Sequence, residues 1–371
     1  MLRAISLGFL LIMVLAAAPI HSAFAQAPVK IRVGWITAPA SLVPLLFIKP
    51  GVTKHHGKSY MFEPIHFASS TLQITALSQG ELDLAAFGYT SFPLAIQNAG
   101  LSDLRIIADE IQDGAPGYYS TPFFVRKDSG INRVEDMKGK IAVTNGLGSG
   151  VDIIMRAALH RHGLEVQRDY TMIEAPFPTH KAMLKEHKGD LVVGVLPFSY
   201  DPELNEFAEP LFTTQSSLGR IALSFWVARK TFIDKNAAAL LDLLEDYGTM
   251  LRWFYDPANH EEAVEIVARF LKRPPAVLED WLFTKKDFYR DLDGKPDLKV
   301  IQERGLRRIE WVILGVEDST NLGIARGFCI LAGLYLASMM DGTSIETPSA
   351  AVGYVFVSGF SAGADSTRDF R

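Results

Sequence analysis

One order of predicted secondary structure occurs twice in this sequence of 371 residues, with an offset of about 110 residues. Both copies contain an apolar strand, a second strand, a helix that ends at glycine, an aspartate and a third apolar strand. The paired segments are 31–35 with 141–145, 60–67 with 170–177, Gly80 with Gly189, and Asp83 with Asp190. Apolar strands that alternate with helices are typical of buried parallel sheets. Any α/β protein shows some alternation, but the matched spacing favours two lobes, each a doubly wound, mostly parallel sheet.

The predicted lobes are not each one continuous piece of chain. An apolar strand at 221–229 follows the second copy, and helical segments come after it, including 276–283 and 297–315. Segments near 118–126 and 212–224 would then cross between the lobes, which is the topology of a hinge. The division that we expect is 26–120 with 222–316 as lobe 1, 121–221 as lobe 2, and 317–371 as an atypical tail rich in Gly, Ala and Ser.

The first 25 residues have the pattern of a secretory signal peptide. Arg3 supplies the positive start, residues 4–18 form an apolar core, and Ala23-Phe24-Ala25 is a small-x-small cleavage site. The apolar run is shorter than the ~20 residues that a membrane span needs, so a retained anchor is the weaker alternative. We expect cleavage after Ala25 and export to the periplasm.

Charge and cysteine content narrow the classes of protein. The formal net charge is −5 and the sequence contains no basic block, a pattern that disfavours nucleic-acid binding. Cys329 is the only cysteine, so an intramolecular disulfide is impossible and the exported fold must depend on its buried core. We expect a monomer that binds neither nucleic acid nor a cofactor.

A glycine-rich turn, GLGSG at 146–150, lies between a predicted strand and an amphipathic helix. No Gly-Lys-Ser/Thr follows it, which excludes a P-loop, and its spacing is not the G-x-G-x-x-G of dinucleotide-binding proteins. What remains is a helix N-terminus whose backbone N–H groups could hold an anion or a polar ligand. The alternative is a tight turn that binds nothing.

The loops at the carboxyl ends of the strands are where a doubly wound sheet binds its ligand. Here they combine hydroxyls, backbone donors and aromatic rings, a mixture that suits a small organic molecule with one anionic or polar end. Helix capping by the serines and threonines and core packing by the aromatics are the alternatives. The candidate ligand-binding residues are Trp35, Thr37, Ser69, Ser70, Thr71, Tyr89, Thr90, Asn145, Gly148, Ser149, Gly150 and Phe198.

Three motifs between residues 30 and 316 resemble the periplasmic substrate-binding proteins of ABC importers. They are Gly80-Glu81-Leu82-Asp83, Arg126-Lys127-Asp128-Ser129-Gly130-Ile131 and Asp136-Met137-Lys138-Gly139-Lys140. The group that they resemble most handles nitrate, taurine, alkanesulfonates and thiamin-pyrimidine precursors. The resemblance implies a type II-like periplasmic-binding-protein fold, a two-lobed clamp that closes on its ligand and delivers it to a membrane permease. Relatives often carry Glu-Pro after the strand that ends near residue 196, whereas this sequence has Leu196-Pro197-Phe198.

The ligand class stays open at this point. A sulfonate-like or taurine-like anion and a pyrimidine-like heteroaromatic both suit the candidate loops, while the shortage of arginine in the lobe 2 loops disfavours nitrate. We expect a binding protein rather than an enzyme, since no HExxH motif or Cys/His cluster indicates a metal site. Gly359-Phe360-Ser361-Ala362-Gly363 matches a nucleophile motif, but no histidine follows it. The alternatives are an enzyme on the same fold, similar to thiamin-pyrimidine synthase, and the sensor lobe of a membrane receptor.

Overall fold

The two repeated stretches form two five-stranded sheets. The structure, a computed structural model, describes residues 27–303, 309–312 and 330–333. The first sheet consists of β1 (Val29–Trp35), β2 (Tyr60–His66), β3 (Leu84–Phe87), β4 (Leu104–Asp113) and β10 (Ile221–Arg229). The second consists of β5 (Pro122–Arg126), β6 (Ile141–Thr144), β7 (Thr171–Glu174), β8 (Leu191–Val193) and β9 (Ala208–Thr213).

Both sheets have an equivalent strand order, β2-β1-β3-β10-β4 in the first and β7-β6-β8-β5-β9 in the second. In the first sheet β1 pairs in parallel with β2 and β3, and in the second β6 does so with β7 and β8. One strand in each sheet, β10 or β5, runs antiparallel to its neighbours. The expected α/β class with two mostly parallel sheets is therefore confirmed.

The aspartate of each sequence copy joins the first strand of its sheet to the third. Asp83 Oδ2 accepts a hydrogen bond from the Arg32 backbone N–H at 2.8 Å, and Asp190 Oδ2 accepts one from the Ile141 N–H at 2.9 Å. The N–H of each aspartate donates in turn to the carbonyl of the same partner, at 3.0 and 2.7 Å. The Gly-to-Asp pattern seen twice in the sequence thus has the same structural role in both sheets.

The helices cover the faces of the sheets and their connections. The longest packs against the first sheet through Tyr247, whose ring lies 4.4 Å from that of the fully buried Trp226. Within the described parts of the chain, no helix combines the length and apolarity that crossing a membrane would take. The helices are α1 (Ser70–Ser78), α2 (Ser91–Ala99), α3 (Gly150–Arg161), α4 (His180–Lys185), α5 (Pro202–Phe207), α6 (Thr214–Leu218), α7 (Lys230–Phe254), α8 (His260–Leu271) and α9 (Leu298–Glu303).

The chain passes between the sheets twice, through residues 114–121 and 214–220. The two crossings lie side by side, because the Thr214 N–H donates to the Thr121 carbonyl at 3.0 Å and the Gln215 N–H donates to Ser120 Oγ at 2.8 Å. These crossings overlap the segments near 118–126 and 212–224 that were expected to join the lobes.

The segment after α8 differs from the prediction. Residues 278–283 form turns rather than a helix, because the Asp287 carboxylate and the Thr284 hydroxyl bond the local backbone instead. A helix was expected over 297–315, but among the described residues of that range only α9 is helical. Ile309–Val312 is instead a strand that pairs antiparallel with Ile330–Gly333. The sequence Ile-Glu-Trp-Val is rich in residues that favour strands, a preference that the helix prediction overlooked.

The predicted signal peptide lies outside the described residues. The predicted tail, 317–371, also lies outside the described residues, apart from the strand Ile330–Gly333. The 359–363 motif is in the part that is not described.

Candidate ligand-binding site

The glycine-rich turn of the second sheet packs directly on the first sheet. Asn145 Nδ2 donates to the Ala68 carbonyl at 3.0 Å, and Ser91 Oγ, at the start of α2, donates to the Gly148 carbonyl at 3.2 Å. The Ser70 hydroxyl at the start of α1 lies 3.0 Å from Ser91 Oγ and completes this chain of hydrogen bonds. The starts of two helices in one lobe thus meet the turn of the other.

The turn needs glycine because the two parts approach so closely. A Cβ atom at Gly146 would lie 2.5 Å from the Ser69 Cβ, and one at Gly150 would lie 3.3 Å from Leu223 Cδ1. Gly148 has a φ of +80°, a conformation that side chains disfavour. The glycines therefore serve the contact between the sheets and the tight turn.

Two backbone N–H groups of the turn are already occupied by carboxylates. Leu147 donates to Glu174 Oε1, and Gly148 donates to Asp152 Oδ2 at 2.8 Å. Ser149 caps α3 by accepting from the Asp152 N–H at 3.4 Å. These two N–H groups are unavailable to an anion, contrary to the expectation for this turn, and the Asp152 carboxylate is itself paired with Arg156 at 2.9 Å.

A cavity of about 80 Å³ lies beside the turn, between the two sheets. At 10–15 Å³ for each water-sized group, it has room for roughly five to eight such groups, about the size of one substituted six-membered ring. Its walls come from both sheets and from the segment after α8. The lining residues are Ile36, Thr37, Ala40, Ser41, Ser70, Ala86, Phe87, Gly88, Glu110, Ile111, Asn145, Ser149, Gly150, Val151, Phe177, Val195, Leu223, Ser224 and Phe288.

The one ionisable side chain among these lining residues is Glu110, in β4. It is 2% exposed, and its two carboxylate oxygens accept hydrogen bonds from Ser41 Oγ at 2.5 Å and from Ser224 Oγ at 2.6 Å. Burial raises the pKa of the carboxyl, although both serine hydroxyls and the charge of Arg290 act in the opposite direction. The cavity is therefore mainly apolar and has one hydrogen-bonded carboxyl in its wall.

Arg290 fixes the wall that carries Glu110. Its guanidinium donates to the Glu110 carbonyl at 2.8 Å, to the Ala40 carbonyl at 2.5 Å and to the Tyr255 hydroxyl at 2.9 Å. Phe288, two residues before Arg290, and Ser41, the residue after Ala40, both line the cavity. The segment after α8, which the sequence analysis left out of the site, is thus part of it.

Five of the twelve predicted residues line the cavity: Thr37, Ser70, Asn145, Ser149 and Gly150. Ser69, Thr71 and Gly148 lie where the turn meets α1, and Tyr89 and Thr90 are buried at the start of α2. Trp35 packs instead against His66 and Phe270, with ring centroids 4.6 and 6.2 Å away, and Phe198 begins a short 3₁₀ turn. Ligand contact by any of the twelve stays a prediction.

Glu110 and the aromatic residues of the cavity wall were not among the predicted residues. A signal for Glu110 was present, since the acidic residues of LRIIADEIQD interrupt an otherwise apolar strand and would be buried with it. No local pattern marked Phe177 or Phe288. Among the described residues no group of three His, Cys, Asp or Glu side chains is placed to hold a metal ion.

The fold has many counterparts among solved structures. The alkanesulfonate-binding protein SsuA from Xanthomonas axonopodis pv. citri, bound to MOPS, is 20% identical with a TM-score of 0.60, and the match covers 75% of this chain and 90% of that one. The periplasmic aliphatic sulphonate binding protein SsuA from Escherichia coli is also 20% identical, with a TM-score of 0.57 and the same coverage of both chains. The periplasmic nitrate-binding protein NrtA from Synechocystis PCC 6803 is 17% identical with a TM-score of 0.53, and the match covers 71% of this chain and 74% of that one. These likenesses confirm the periplasmic-binding-protein fold.

A comparison with curated proteins returned no match. The family comparison is informative, because the model of the NMT1-like family matches residues 25–268, about two thirds of the sequence. The match includes both sheets, the glycine-rich turn and the strand that carries Glu110, so the chain belongs to the NMT1-like family.

Proposed function

We propose that this protein is the solute-binding component of an ABC importer. It captures a small organic molecule between two lobes that close about a hinge, and it presents the closed form to a membrane permease. The observation that carries the proposal is the cavity, whose walls come from both sheets at the carboxyl ends of their parallel strands. A ligand held there contacts both lobes, so it stabilises the closed arrangement over the open one.

The closing units that we propose are residues 26–120 with 222–316, and residues 121–221. Their closed arrangement is supported by the hydrogen bonds from Asn145 and Ser91 across the contact. The mature protein would begin after Ala25 and act in the periplasm as a monomer. Periplasmic binding proteins among the solved counterparts support that location.

For the ligand we propose a heteroaromatic, pyrimidine-like compound rather than a sulfonate or taurine. None of the described residues that line the cavity is lysine or arginine, whereas Phe87, Phe177 and Phe288 offer apolar walls to a ring. An oxyanion would be desolvated there without a positive partner, which is costly in a buried site. A neutral ring with polar edges costs less free energy of desolvation than an oxyanion when it enters the cavity.

An enzyme on the same fold is the second candidate, and Glu110 is the observation that favours it. A buried carboxyl whose pKa is raised, inside a cavity, is an arrangement that active sites also use. The two functions differ in whether the bound compound is recovered unchanged. Mass spectrometry of the compound after long incubation with the protein distinguishes them.

The experiment is thermal unfolding of the mature protein with a panel of pyrimidines, aromatic carboxylates, alkanesulfonates, taurine and nitrate. A ligand at 100 times its dissociation constant adds about 2.7 kcal/mol to the free energy of unfolding, which is a readily measured shift in Tm. We expect the shift with pyrimidines. A shift with the sulfonates alone would keep the solute-binding role and refute the ligand class, and no shift at all would refute both.

A further inference from the structure

Glu110 places a carboxyl in the wall of the cavity. Its neighbour Asp109 is also buried, but does not line the cavity, whereas the Glu110 side chain does. The two serines bonded to it, Ser41 and Ser224, line the same cavity. The three polar side chains together form one acidic edge of a cavity whose other walls are mainly apolar.

The carboxylate retains capacity to accept more hydrogen bonds. Its two oxygens have about four acceptor positions; Ser41 and Ser224 each fill one, and the Trp226 indole N–H also acts on the carboxyl, which leaves about one position. The nearby cation, Arg290, directs its guanidinium to the carbonyls of Ala40 and Glu110 and to the Tyr255 hydroxyl rather than into the cavity. What the acidic edge can still receive is a hydrogen-bond donor from the ligand.

Two further carboxylates lie near the turn, and one of them, Asp152, is paired with Arg156 at 2.9 Å. The carboxylates of Asp152 and Glu174 hold the N–H groups of the glycine-rich turn, at the side of the cavity formed by Ser149 and Gly150. An oxyanion in the cavity would meet Glu110, and none of the described lining residues is a lysine or arginine that could pair with it. A group with N–H donors would meet complementary acceptors, and a cationic donor would favour the ionised carboxylate over the neutral form that burial favours, with the stronger, charge-assisted kind of hydrogen bond.

We infer that Glu110 is the specificity-determining residue of the site, and that it requires a ligand with a nitrogen-bound hydrogen-bond donor, such as a ring amino group, an amidine or a protonated amine. The inference rests on the proposed function and names the feature of the ligand that the cavity selects. Ser41 and Ser224 hold the carboxylate in place, and Phe87, Phe177 and Phe288 cover the ring.

The test is isothermal titration of the mature protein with matched probes that share one ring. The first set is 4-aminopyrimidine, pyrimidine and pyrimidine-4-carboxylate, and the second is benzamidine and benzenesulfonate. We expect the amino or amidine member of a set to bind roughly 10- to 100-fold more tightly than its partners, the usual effect of a charge-assisted hydrogen bond. Glu110→Gln should remove most of that preference, while the matched control Asp109→Asn, which changes a buried acid outside the cavity, should retain it.

Each outcome has one meaning. Equal or tighter binding of pyrimidine-4-carboxylate or benzenesulfonate overturns the inference and leaves solute binding intact. An unchanged preference in a folded Glu110→Gln variant also overturns it, and the wild-type comparison decides the matter if that variant does not fold. The inference and the proposed function fail together if neither set binds.

Discussion

Asn145 joins the glycine-rich turn to the opposite sheet, because its Nδ2 donates to the Ala68 carbonyl while its Oδ1 accepts from Ser149 Oγ. One side chain therefore holds both the capping residue of α3 and the contact between the lobes. If the lobes close on a ligand, these two hydrogen bonds stabilise the closed form.

Asn145→Asp should favour the open form. The carboxylate cannot donate to the Ala68 carbonyl, so the contact loses a hydrogen bond. The two oxygens would also repel each other. We expect ligand affinity to fall roughly 10-fold, since about 1.4 kcal/mol shifts an equilibrium tenfold, and small-angle X-ray scattering to show a larger radius of gyration. Asn132→Asp, at an exposed position, is the control. Equal affinity in both variants would remove the Asn145 contact from the mechanism of closure.

Gly146→Ala should obstruct closure by its Cβ alone. The added atom would lie 2.5 Å from the Ser69 Cβ, a distance that forces the two parts to separate. Overpacking of this kind typically costs about 1–3 kcal/mol, and we expect weaker ligand binding with little change in secondary structure. The double variant Gly146→Ala with Ser69→Gly removes the clash and should recover most of the affinity. A failure of that rescue would place the effect elsewhere in the turn.

Asp109 should make stability depend on pH. Burial raises its pKa to about 7, and none of the described residues donates a hydrogen bond to its Oδ1. The folded protein thus binds this proton more tightly than the unfolded chain, whose pKa is near 3.9, so stability falls as pH rises from about 4 to about 7. Three units correspond to at most about 4 kcal/mol.

Chemical denaturation of the wild type and Asp109→Asn between pH 4 and 8 measures this effect. The variant should lack this part of the decline and gain stability relative to the wild type as pH rises. A difference between the two proteins that does not change with pH would contradict the assignment.

Arg290→Met should destabilise the fold and the cavity together. The substitution leaves the buried carbonyls of Ala40 and Glu110 without their donors, at about 1–3 kcal/mol for each unsatisfied group. Arg273→Met, at an exposed position, is the matched control and should change the free energy of unfolding by no more than about 0.5 kcal/mol. The midpoints of denaturant unfolding for the two variants measure this difference in stability. Similar midpoints would mean that Arg290 does not hold this wall.

Trp35→Ala and Phe288→Ala should separate packing from ligand contact. Trp35 packs on His66 outside the cavity, so its loss should lower stability and change ligand affinity less than twofold. Phe288 is fully buried and lines the cavity, so its loss should weaken binding at least tenfold. Titration of both variants with one ligand checks the contrast. A larger loss of affinity for Trp35→Ala would restore that residue to the site.

The elements that position the site were predictable because their signals are local. Patterns within a few residues predict the apolar runs of β1, β6 and β10. They also predict the glycine that ends a helix in each copy and the aspartate that follows it. The meeting of strand ends at one edge of each sheet then placed Ser70, Asn145 and Ser149 near a ligand in advance, and these residues do line the cavity.

The rest depends on contacts between distant parts of the chain. Phe288 reaches the cavity because Arg290 and Tyr289 attach its segment to β4, more than 150 residues earlier in the chain: Arg290 donates to the Glu110 carbonyl, and the Tyr289 carbonyl accepts from the Gln112 N–H. The glycine-rich turn was expected to offer its N–H groups to an anion, but Glu174, from the next strand, occupies one of them. Such pairings arise from the tertiary fold, and no spacing in the sequence encodes them.

The central claim is that the cavity between the sheets is where the ligand binds. A crystal structure of the mature protein with the compound that gives the largest thermal shift tests it most directly. The account predicts a closed form, with the ligand between Phe288 and the 145–150 turn and a nitrogen donor within hydrogen-bond distance of Glu110. A ligand bound elsewhere, or held in the cavity with an oxyanion against Glu110, would contradict it.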